Sequence, residues 1–391
     1  MHVLVIPTWY PNGSDKLIGI YHKEYCEALA KSGVKVNMLY IDRQLISHPF
    51  RYLKMNKNEV IKEKNYNTYI RKMFDIRRIS YSLSLKNYCK SLEKAFKKYI
   101  KINGMPDVLH AQVTIPAGYA TCKLGKKYNI PVVVTEHSSY YQRFFNEKNI
   151  KYTKFVFENS YYTTVSKYMA DWISNNYYKC DVIPNLVDTD NFMLNKKVVK
   201  GLRLITISGL RRSKYIDNTM EALKYLIENK KIKDASLTVV GDGQDELFFK
   251  NRCHELGMDD YVNFVGRKTK EEVAKLLNEH NIYVVSSDTE TFCIPAIEAF
   301  ASGIPVVSTK CHGPEEFIDK KSGVLVPFGD NIKMAEAILK VYNNLDKYDI
   351  NYLRNIANKY SGKSIITKTI KIYDKLIKDK KWLWWKKLFI T

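Results

Sequence analysis

Residues 282–308 read IYVVSSDTETFCIPAIEAFASGIPVVS and contain, in order, a strand pattern, a loop, a helix pattern and a second strand pattern. The short apolar run Ile282–Ser286 predicts a buried strand, and Pro305–Ser308 predicts the next one. Between them, Pro295 is suited to the first turn of a helix, which we expect to continue to Ala301. A strand, a helix and a strand in this order are typical of a parallel sheet.

The same alternation extends along the chain in two series. The predicted strands of the first series are His2–Ile6, Val34–Ile41, Asp107–Ala111, Pro131–Thr135, Tyr161–Val165 and Cys180–Ile183. Those of the second series are Arg203–Ser208, Ser236–Val240, Tyr261–Val265, Ile282–Ser286 and Pro305–Ser308. The predicted helices between them are Gly19–Ser32, Ala117–Tyr128, Asp217–Glu228, Leu247–Leu256, Lys270–Asn278 and Pro295–Ala301. We therefore predict an α/β fold of two doubly wound, Rossmann-like domains that face each other across a cleft.

The length of the chain agrees with this division, because 391 residues are enough for two or three domains. The polar stretch 190–202 lacks a clear period and separates the two series. We predict an N-terminal domain over 1–195, a C-terminal domain over 196–360, and a C-terminal helix with a basic, tryptophan-rich tail over 361–391. A composition of 45% hydrophobic and 27% charged residues excludes a wholly disordered chain.

The seven cysteines are odd in number, widely spaced and never arranged as CxxC, so neither a zinc site nor a disulfide framework is predicted. The first residues, MHVLVIPTWYP, lack a basic segment and indicate a strand rather than a signal peptide. No stretch approaches the roughly 18–20 apolar residues that cross a bilayer. These features favour a cytoplasmic location.

The net charge of +22 indicates an anionic partner such as nucleic acid, phospholipid headgroups or a phosphorylated substrate. Residues 51–101 contain 15 Lys or Arg against four Asp or Glu, and residues 368–391 contain eight Lys against two Asp. These two segments therefore carry most of the excess charge. Aromatic residues among cations can stack nucleic-acid bases, but no nucleic-acid-binding motif is present, and we expect no nucleic-acid partner.

Two glutamates flank the loop that leads into the predicted helix at Pro295. Glu290 lies in the loop and Glu298 in the helix. The free N–H groups at the helix N-terminus suit a phosphate, and the two carboxylates could accept hydrogen bonds from sugar hydroxyls. On spacing alone, a capping residue and a solvated helix position are equally good interpretations of the two glutamates.

The sequence here resembles the retaining glycosyltransferases of family 4, which have the GT-B fold. Glu290 to Glu298 matches their E-x7-E signature. The similarity continues through the stretches 299–308, 313–316, 323–330, 240–243, 264–266, 182–188, 107–110 and 135–137. It covers nearly the whole chain except roughly 45–100 and the last twenty residues.

The resemblance implies a hexosyltransferase that moves a sugar from a nucleotide-sugar donor with retention of the anomeric configuration. It implies that Glu298 binds the ribose hydroxyls and that Glu290 contacts the donor sugar. The amides of the intervening loop would hold the diphosphate, and these loop residues are Thr291, Phe292, Cys293 and Ile294. The family usually has glycines at the positions of Thr291 and Cys293, so side chains there would narrow the donor pocket.

A basic loop follows the predicted strand Arg203–Ser208. Cations past the carboxyl edge of a sheet suit a leaving diphosphate, although a solvated basic turn has the same composition. The resemblance places a lysine at Lys214, and it places an arginine where this chain has Gly209. Either Arg211 or Arg212 replaces that arginine, or the site has one cation fewer; we favour Arg211.

Glycines close two further strands of the second series. Gly241 and Gly243 would let backbone approach a ligand, although ordinary turns use the same residues. Gly266 and Arg267 occupy the same position after the next strand. In similar enzymes this region lies beside the nucleotide base.

Two residues of the first series are candidates for donor contacts. Gly19 opens a helix whose N–H groups can face a phosphate, and similar enzymes use a glycine here to close on the donor. His137 directly follows a strand, where a lone histidine is more often structural. The resemblance reverses that preference, because family members have a histidine here that touches the donor sugar. His110 also follows a strand, and we expect it to be structural.

No metal ion or other cofactor is expected. No DxD motif stands at a strand end, and no double-displacement nucleophile is evident. We expect the nucleotide to depart and the acceptor to attack on the same face, with the leaving phosphate taking the acceptor's proton.

The C-terminal stretch KKWLWWKKLFIT has the composition of a segment that lies in the headgroup region of an anionic membrane. The membrane contacts we expect are Lys380, Lys381, Trp382, Trp384, Trp385, Lys386 and Lys387. The alternative is that these tryptophans pack on the N-terminal domain, because the C-terminal helix of GT-B enzymes often crosses back.

Together these observations predict a transferase that uses a nucleotide sugar, most simply a UDP-sugar, at the inner face of a bacterial membrane. The acceptor would be a lipid-linked (polyprenyl) or cell-surface glycan of capsule, exopolysaccharide, lipopolysaccharide or O-antigen assembly, bound in the N-terminal domain. The C-terminal domain would bind the donor. Two alternatives are a soluble sucrose- or glucan-forming transferase, and a basic membrane- or nucleic-acid-binding module with a degenerate site.

Overall fold

The computed structural model describes residues 1–11, 18–45, 58–192 and 199–388. From residue 380 onward this description covers the backbone only. The other residues, and the side chains of the predicted membrane contacts between Lys380 and Lys387, lie outside the described part.

Contacts divide the chain into two compact units. The first contains residues 1–165 and 169–184 and the C-terminal helix from Ile365, and the second contains residues 166–168 and 185–364. The division falls after residues 184 and 364, whereas the predicted boundaries follow residues 195 and 360. The boundary after residue 195 itself lies outside the described residues.

The first unit is built on an eight-stranded sheet with the order β3-β4-β2-β1-β5-β6-β7-β8. Its strands are β1 (His2–Pro7), β2 (Lys35–Leu45), β3 (Asn58–Lys62), β4 (Asn67–Asp75), β5 (Val108–Gln112), β6 (Val132–Glu136), β7 (Tyr161–Thr164) and β8 (Asp181–Val182). All neighbours are parallel except β3, which is antiparallel to β4. The helices along this part of the chain are α1 (Ile20–Lys31), α2 (Tyr81–Asn103), α3 (Tyr119–Tyr128), α4 (Ile150–Glu158) and α5 (Lys167–Asn176).

The second unit is built on a six-stranded parallel sheet with the order β11-β10-β9-β12-β13-β14. Its strands are β9 (Leu202–Ile207), β10 (Ala235–Val240), β11 (Val262–Gly266), β12 (Ile282–Val285), β13 (Val306–Thr309) and β14 (Gly323–Val326). Its helices are α6 (Ile216–Lys230), α7 (Glu246–Glu255), α8 (Lys270–Asn278), α9 (Ile294–Ala301), α10 (Asn331–Tyr342) and α11 (Ile350–Asn358). The final helix, α12 (Gly362–Leu388), follows.

The predicted α/β class and the two Rossmann-like domains are confirmed, and each predicted strand corresponds to an observed one. The reason is burial on both faces of a parallel sheet, which makes its central strands continuous apolar runs. Residues Val3–Ile6 of β1, for example, are wholly buried. The helix boundaries follow local signals: Thr269 and Glu272 form a capping box at the start of α8.

The C-terminal helix α12 is tied to the first unit through a buried polar cluster. The Tyr373 hydroxyl lies 2.5 Å from Nδ1 of His110 and 2.8 Å from the Tyr25 hydroxyl. Nε2 of His110 lies 2.7 Å from Oγ1 of Thr135. Burial, together with the nearby His137, lowers the pKa of His110 to about 3. His110 is therefore a neutral, hydrogen-bonded residue of the interior, as expected from its sequence position.

Each sheet has one position where the direction of winding reverses. In the first unit it lies between β1 and β5, and in the second between β9 and β12. Loops after these strands diverge to opposite faces of the sheet, which leaves a crevice at the carboxyl edge. These two crevices are the places where the fold favours a ligand. Among the described residues, the structure contains no helix long and apolar enough to cross a bilayer.

Candidate functional site

The crevice of the second unit brings together two of the predicted catalytic residues. Lys214 lies in a 3₁₀ turn after β9, and Glu290 lies in the loop after β12. Nζ of Lys214 donates to Oε1 of Glu290 at 2.6 Å, and Oγ of Ser287 donates to the same oxygen at 2.8 Å. The two side chains are 22% and 15% exposed, so the ion pair is partly shielded from water but accessible to a ligand.

This pair has a defined charge state. Burial alone would lower the pKa of Lys214, but the negative charge of Glu290 and its hydrogen bond outweigh burial, so the pKa lies above its ordinary value. Lys214 therefore carries a positive charge at neutral pH. A fixed cation beside a carboxylate can hold a phosphate oxygen on one side and a hydroxyl group on the other.

The loop between Glu290 and α9 is held by a neighbouring segment. The Glu290 amide donates to the Cys311 carbonyl at 2.8 Å, and the Gly313 amide donates to the Glu290 carbonyl at 2.9 Å. A Cβ on Gly313 would lie 2.7 Å from the backbone nitrogen of Phe292, so only glycine permits this approach. These contacts hold the loop backbone against the segment from Cys311 to Gly313.

Cys293 immediately precedes α9 and has φ 74°, in the left-handed region that favours glycine. This conformation explains why a glycine suits the position, and a side chain there costs on the order of 1 kcal/mol. Cys293 is buried, and burial raises the pKa of its thiol well above the ordinary value. Phe292 is also buried, whereas Thr291 and Ile294 are partly exposed.

Glu298 is only 6% exposed, which rules out a solvated helix position. One of its carboxylate oxygens lies 3.8 Å from Nζ of Lys270, the first residue of α8. Pro295 stands in the first turn of α9, as predicted, and no acidic residue occupies that turn to satisfy its N–H groups. A buried carboxylate thus lies one turn beyond a helix N-terminus suited to an anion.

The glycine loops converge on the basic loop after β9. A Cβ on Gly241 would lie 1.9 Å from the Ser208 carbonyl oxygen, and one on Gly243 would lie 2.3 Å from that of Leu210. The Gly241 amide donates to the Gly266 carbonyl at 2.9 Å. These glycines allow loops from three adjacent strands to pack together. In addition, Nε of Arg267 donates to Oδ1 of Asp242 at 2.9 Å.

The two arginines of the basic loop differ in their surroundings. The guanidinium of Arg212 lies over the Phe248 ring, 3.9 Å from Oδ1 of Asp245. Arg211 is exposed. A Cβ on Gly209 would meet no described heavy atom within 4 Å, and its φ is outside the left-handed region. The backbone at Gly209 therefore has room for a side chain.

The first unit brings its two predicted contacts close to each other. Gly19 has φ 71° and immediately precedes α1, and a Cβ there would lie 2.7 Å from the Trp9 carbonyl oxygen. The ring of His137 lies 5.0 Å from that of Tyr21, in the first turn of α1. Nε2 of His137 lies 2.6 Å from Oε1 of Gln112.

Sequence reasoning missed three residues that support these sites: Lys270, Gln112 and Glu136. The buried carboxylate of Glu136 accepts hydrogen bonds from the amides of His137 and Ser138 and from Thr114, which fixes the turn that carries His137. The signal for Gln112 was its position at a strand end, and Glu136 also lies within the stretch 135–137 that resembles the family. In the described part of the chain, no group of three or more His, Cys, Asp or Glu residues is arranged to hold a metal ion.

Comparison with known proteins gives two family matches. Residues 18–191 match the family model described as Glycosyltransferase Family 4, and residues 189–359 match that described as Glycosyl transferases group 1. The two matches meet near the boundary between the units and together cover both sheets except β1.

Individual proteins are similar over the same length. TuaC of Bacillus subtilis, a glycosyltransferase named for teichuronic acid biosynthesis, is 23% identical over 361 residues, 87% of this chain and 89% of TuaC. Several further relatives match over less than half of their own length.

Among solved structures, the sucrose-phosphate synthase of Thermosynechococcus elongatus has a TM-score of 0.77 at 19% identity, covering 97% of this chain and all of that one. HepE of Anabaena, solved in complex with UDP, has a TM-score of 0.72 at 15% identity, covering 96% of this chain and all of that one. At these identities the likeness shows the fold, and the fold is that of the GT-B glycosyltransferases.

Proposed function

The chain belongs to the family 4 glycosyltransferases, and we propose that it moves one sugar from a nucleotide-sugar donor to a glycan acceptor with retention of the anomeric configuration. The observation that carries this proposal is the Lys214–Glu290 ion pair in the crevice of the second unit. The buried Glu298 and the N-terminus of α9 in the same unit complete a set of groups suited to a nucleotide diphosphate.

Each group has a role that follows from its charge and position. Glu298 accepts hydrogen bonds from the ribose hydroxyls, and the N–H groups at the start of α9 hold the diphosphate. Lys214 stabilises the charge that develops on the leaving phosphate, which is where a fixed cation lowers the barrier. Glu290 holds Lys214 and accepts a hydrogen bond from the donor sugar. In the first unit, Gly19 and His137 are proposed to contact the donor.

The proposed reaction needs no general base from the protein. The bond between the anomeric carbon and the phosphate oxygen breaks, and the acceptor oxygen bonds to that carbon on the same face. The acceptor's proton passes to the leaving phosphate. We propose that no divalent metal is required, because Lys214 and the α9 N-terminus supply the positive field.

The donor and acceptor classes are proposals supported by the relatives. HepE binds UDP, which favours a UDP-sugar here. TuaC is described as a putative teichuronic acid biosynthesis glycosyltransferase, which favours a glycan of bacterial polysaccharide assembly as acceptor. The sucrose-phosphate synthase, at 19% identity, fits the alternative of a soluble disaccharide-forming transferase, and it has the same weight as HepE at 15% identity.

The proposal is tested by incubating the protein with a UDP-sugar and an acceptor extract, and assigning the product's anomeric configuration by proton NMR. We expect the configuration of the donor to be retained. An inverted product would contradict the same-face mechanism, and no release of UDP under any condition would contradict catalysis.

Either Arg211 or Arg212 could replace the arginine that the family has at the position of Gly209, and substitution distinguishes the two. We expect Arg211→Ala to lower kcat by about tenfold, because a hydrogen bond to a charged group contributes on the order of 1.5 kcal/mol. Arg212→Ala should leave kcat within about twofold, since the Arg212 guanidinium lies over the Phe248 ring, with its Nε 3.9 Å from Oδ1 of Asp245. Steady-state kinetics with one donor compares the two variants. The reverse order of effects would assign the role to Arg212.

We also propose that the protein works at the cytoplasmic membrane face through its C-terminal tail. Each cation near an anionic surface contributes an attraction of about 1 kcal/mol, which favours binding of the basic tail to such a surface. Deleting residues 380–391 should release the protein from phosphatidylglycerol vesicles in a flotation assay while UDP affinity is unchanged. Undiminished vesicle binding would show that the tail is not the anchor.

A further inference from the structure

The first unit contains a cavity of about 380 Å³ at the carboxyl edge of its sheet, at the same kind of position as the donor site in the second unit. Trp9 follows β1 and Ile115 follows β5, and both line the cavity. These two strands enclose the point where the winding of the sheet reverses. The cavity therefore lies where an open α/β sheet favours a ligand, and its volume is in the range of about 300 to 1,000 Å³ for small-molecule sites.

Three arginines line this cavity: Arg43 from β2, Arg77 from the turn before α2, and Arg143 from a 3₁₀ turn after β6. Among the described lining residues there is no Asp or Glu. Three separate segments thus bring guanidinium groups to one place without a carboxylate in the lining. Arginine is the side chain best suited to bind a phosphate through paired hydrogen bonds.

Arg77 is paired with a carboxylate that is not among the residues lining the cavity. Its Nε lies 3.1 Å from Oδ2 of the buried Asp75, and Asp75 accepts a hydrogen bond of 2.6 Å from Oγ of Ser84. This leaves the terminal nitrogens of the Arg77 guanidinium for another acceptor. Such anchoring reduces the entropy that a flexible side chain loses when it binds.

A buried hydroxyl supports the same conclusion. Tyr88 lines the cavity and is 1% exposed, and its hydroxyl has no hydrogen-bond partner among the described residues. A buried polar atom without a partner is costly unless a ligand satisfies it. Nearby, burial raises the pKa of Tyr81, and the positive charges of Arg43 and Arg143 oppose that rise, as expected if both guanidinium groups lie close to its hydroxyl.

We propose that this cavity binds the phosphate or diphosphate group of the acceptor. The assignment rests on the proposed function, since it takes the first unit as the acceptor-binding half. Exposed apolar residues next to Arg77, namely Ile79 and Leu83, would lie against the remainder of the acceptor. The phosphate can belong to a lipid-linked glycan or to a soluble sugar phosphate.

The test uses the full chain and inorganic pyrophosphate as the probe, with saturating UDP present to occupy the second unit. Calorimetric titration should show pyrophosphate binding that falls by about ten- to a hundred-fold in the double variant Arg43→Gln/Arg143→Gln. The matched control is Arg78→Gln/Lys94→Gln, which removes the same charge from exposed residues outside the lining and should stay within about twofold. Equal losses in both variants, or none in either, would overturn the site.

A second variant separates a loss of binding from a loss of folding. Tyr88→Phe removes only the hydroxyl, and it should weaken pyrophosphate binding several-fold while the thermal midpoint is unchanged or raised. Unchanged binding would overturn the role of the hydroxyl. A chain that binds pyrophosphate in this arginine-dependent way but binds no nucleotide sugar would contradict the proposed function and leave the anion site standing.

Competition distinguishes the two sources of the phosphate. Phosphatidylcholine vesicles that carry a polyprenyl diphosphate should displace pyrophosphate if the acceptor is lipid-linked. Glucose 1-phosphate should displace it if the acceptor is soluble. If neither competes, the cavity does not bind the acceptor.

Discussion

A Lys214→Ala variant is expected to lose transfer activity by about 10²–10³-fold in kcat, because removing one fixed donor to a developing negative charge has an effect of this size. Nζ of Lys214 is paired with Glu290 at 2.6 Å, so its loss also leaves that partly buried carboxylate without its cation. The unpaired Glu290 carboxylate should also repel the leaving diphosphate, which adds to the loss in kcat. Initial rates with a saturating UDP-sugar measure the effect.

The matched control for this variant is Lys310→Ala, which removes an exposed lysine of the same unit and should retain kcat within about twofold. Circular dichroism and the thermal midpoint establish that both variants fold. A folded Lys214→Ala protein with wild-type kcat would show that the ion pair has no part in the chemistry.

A Glu298→Ala variant is expected to bind UDP about ten- to a hundred-fold more weakly, because a buried carboxylate that accepts hydrogen bonds from two hydroxyls is lost. The sharper measurement compares UDP with its 2′,3′-dideoxy analogue by calorimetry. The wild type should prefer UDP strongly, and the variant should bind the two nearly equally. Glu336→Ala, which removes an exposed carboxylate on α10, is the control.

Two results would contradict this role for Glu298. One is a variant that still prefers UDP over the dideoxy analogue, which would place the ribose elsewhere. The other is equal weakening of both ligands, which would indicate that Glu298 supports the fold, for example through Lys270, rather than contacting the nucleotide.

The sequence predicts eleven of the fourteen described strands, and it misses β3 and β4 of the first unit and β14 of the second. Strands such as β1 are buried on both faces, so they are short apolar runs that stand out from their surroundings. The β3–β4 hairpin was missed because β4 mixes buried and partly buried residues between Asn67 and Asp75 and forms no continuous apolar run. Helix α2 was not predicted as a helix. The lysines on its exposed face led to its interpretation as part of a basic segment.

The site was predictable in its parts but not in its contacts. Lys214 and Glu290 are 76 positions apart, and they meet because β9 and β12 are neighbours in the sheet, an order that the sequence pattern does not reveal. The burial of Glu298 could not be predicted either, because the exposure of a helix residue depends on how the helix packs in the folded protein. The arginine cluster of the first unit was also not predictable, because Arg43, Arg77 and Arg143 come from separate segments that meet only in the folded chain.

The most direct test of the central claim is a thermal-shift panel of UDP-, GDP-, ADP- and CMP-sugars on the wild type and the Glu298→Ala variant. A ligand that binds only the folded state raises the midpoint, by an amount set by its concentration relative to Kd. We predict a clear rise with one UDP-sugar for the wild type and a much smaller rise for the variant. No rise with any nucleotide sugar, or an equal rise in both proteins, would contradict a donor site built on Glu298.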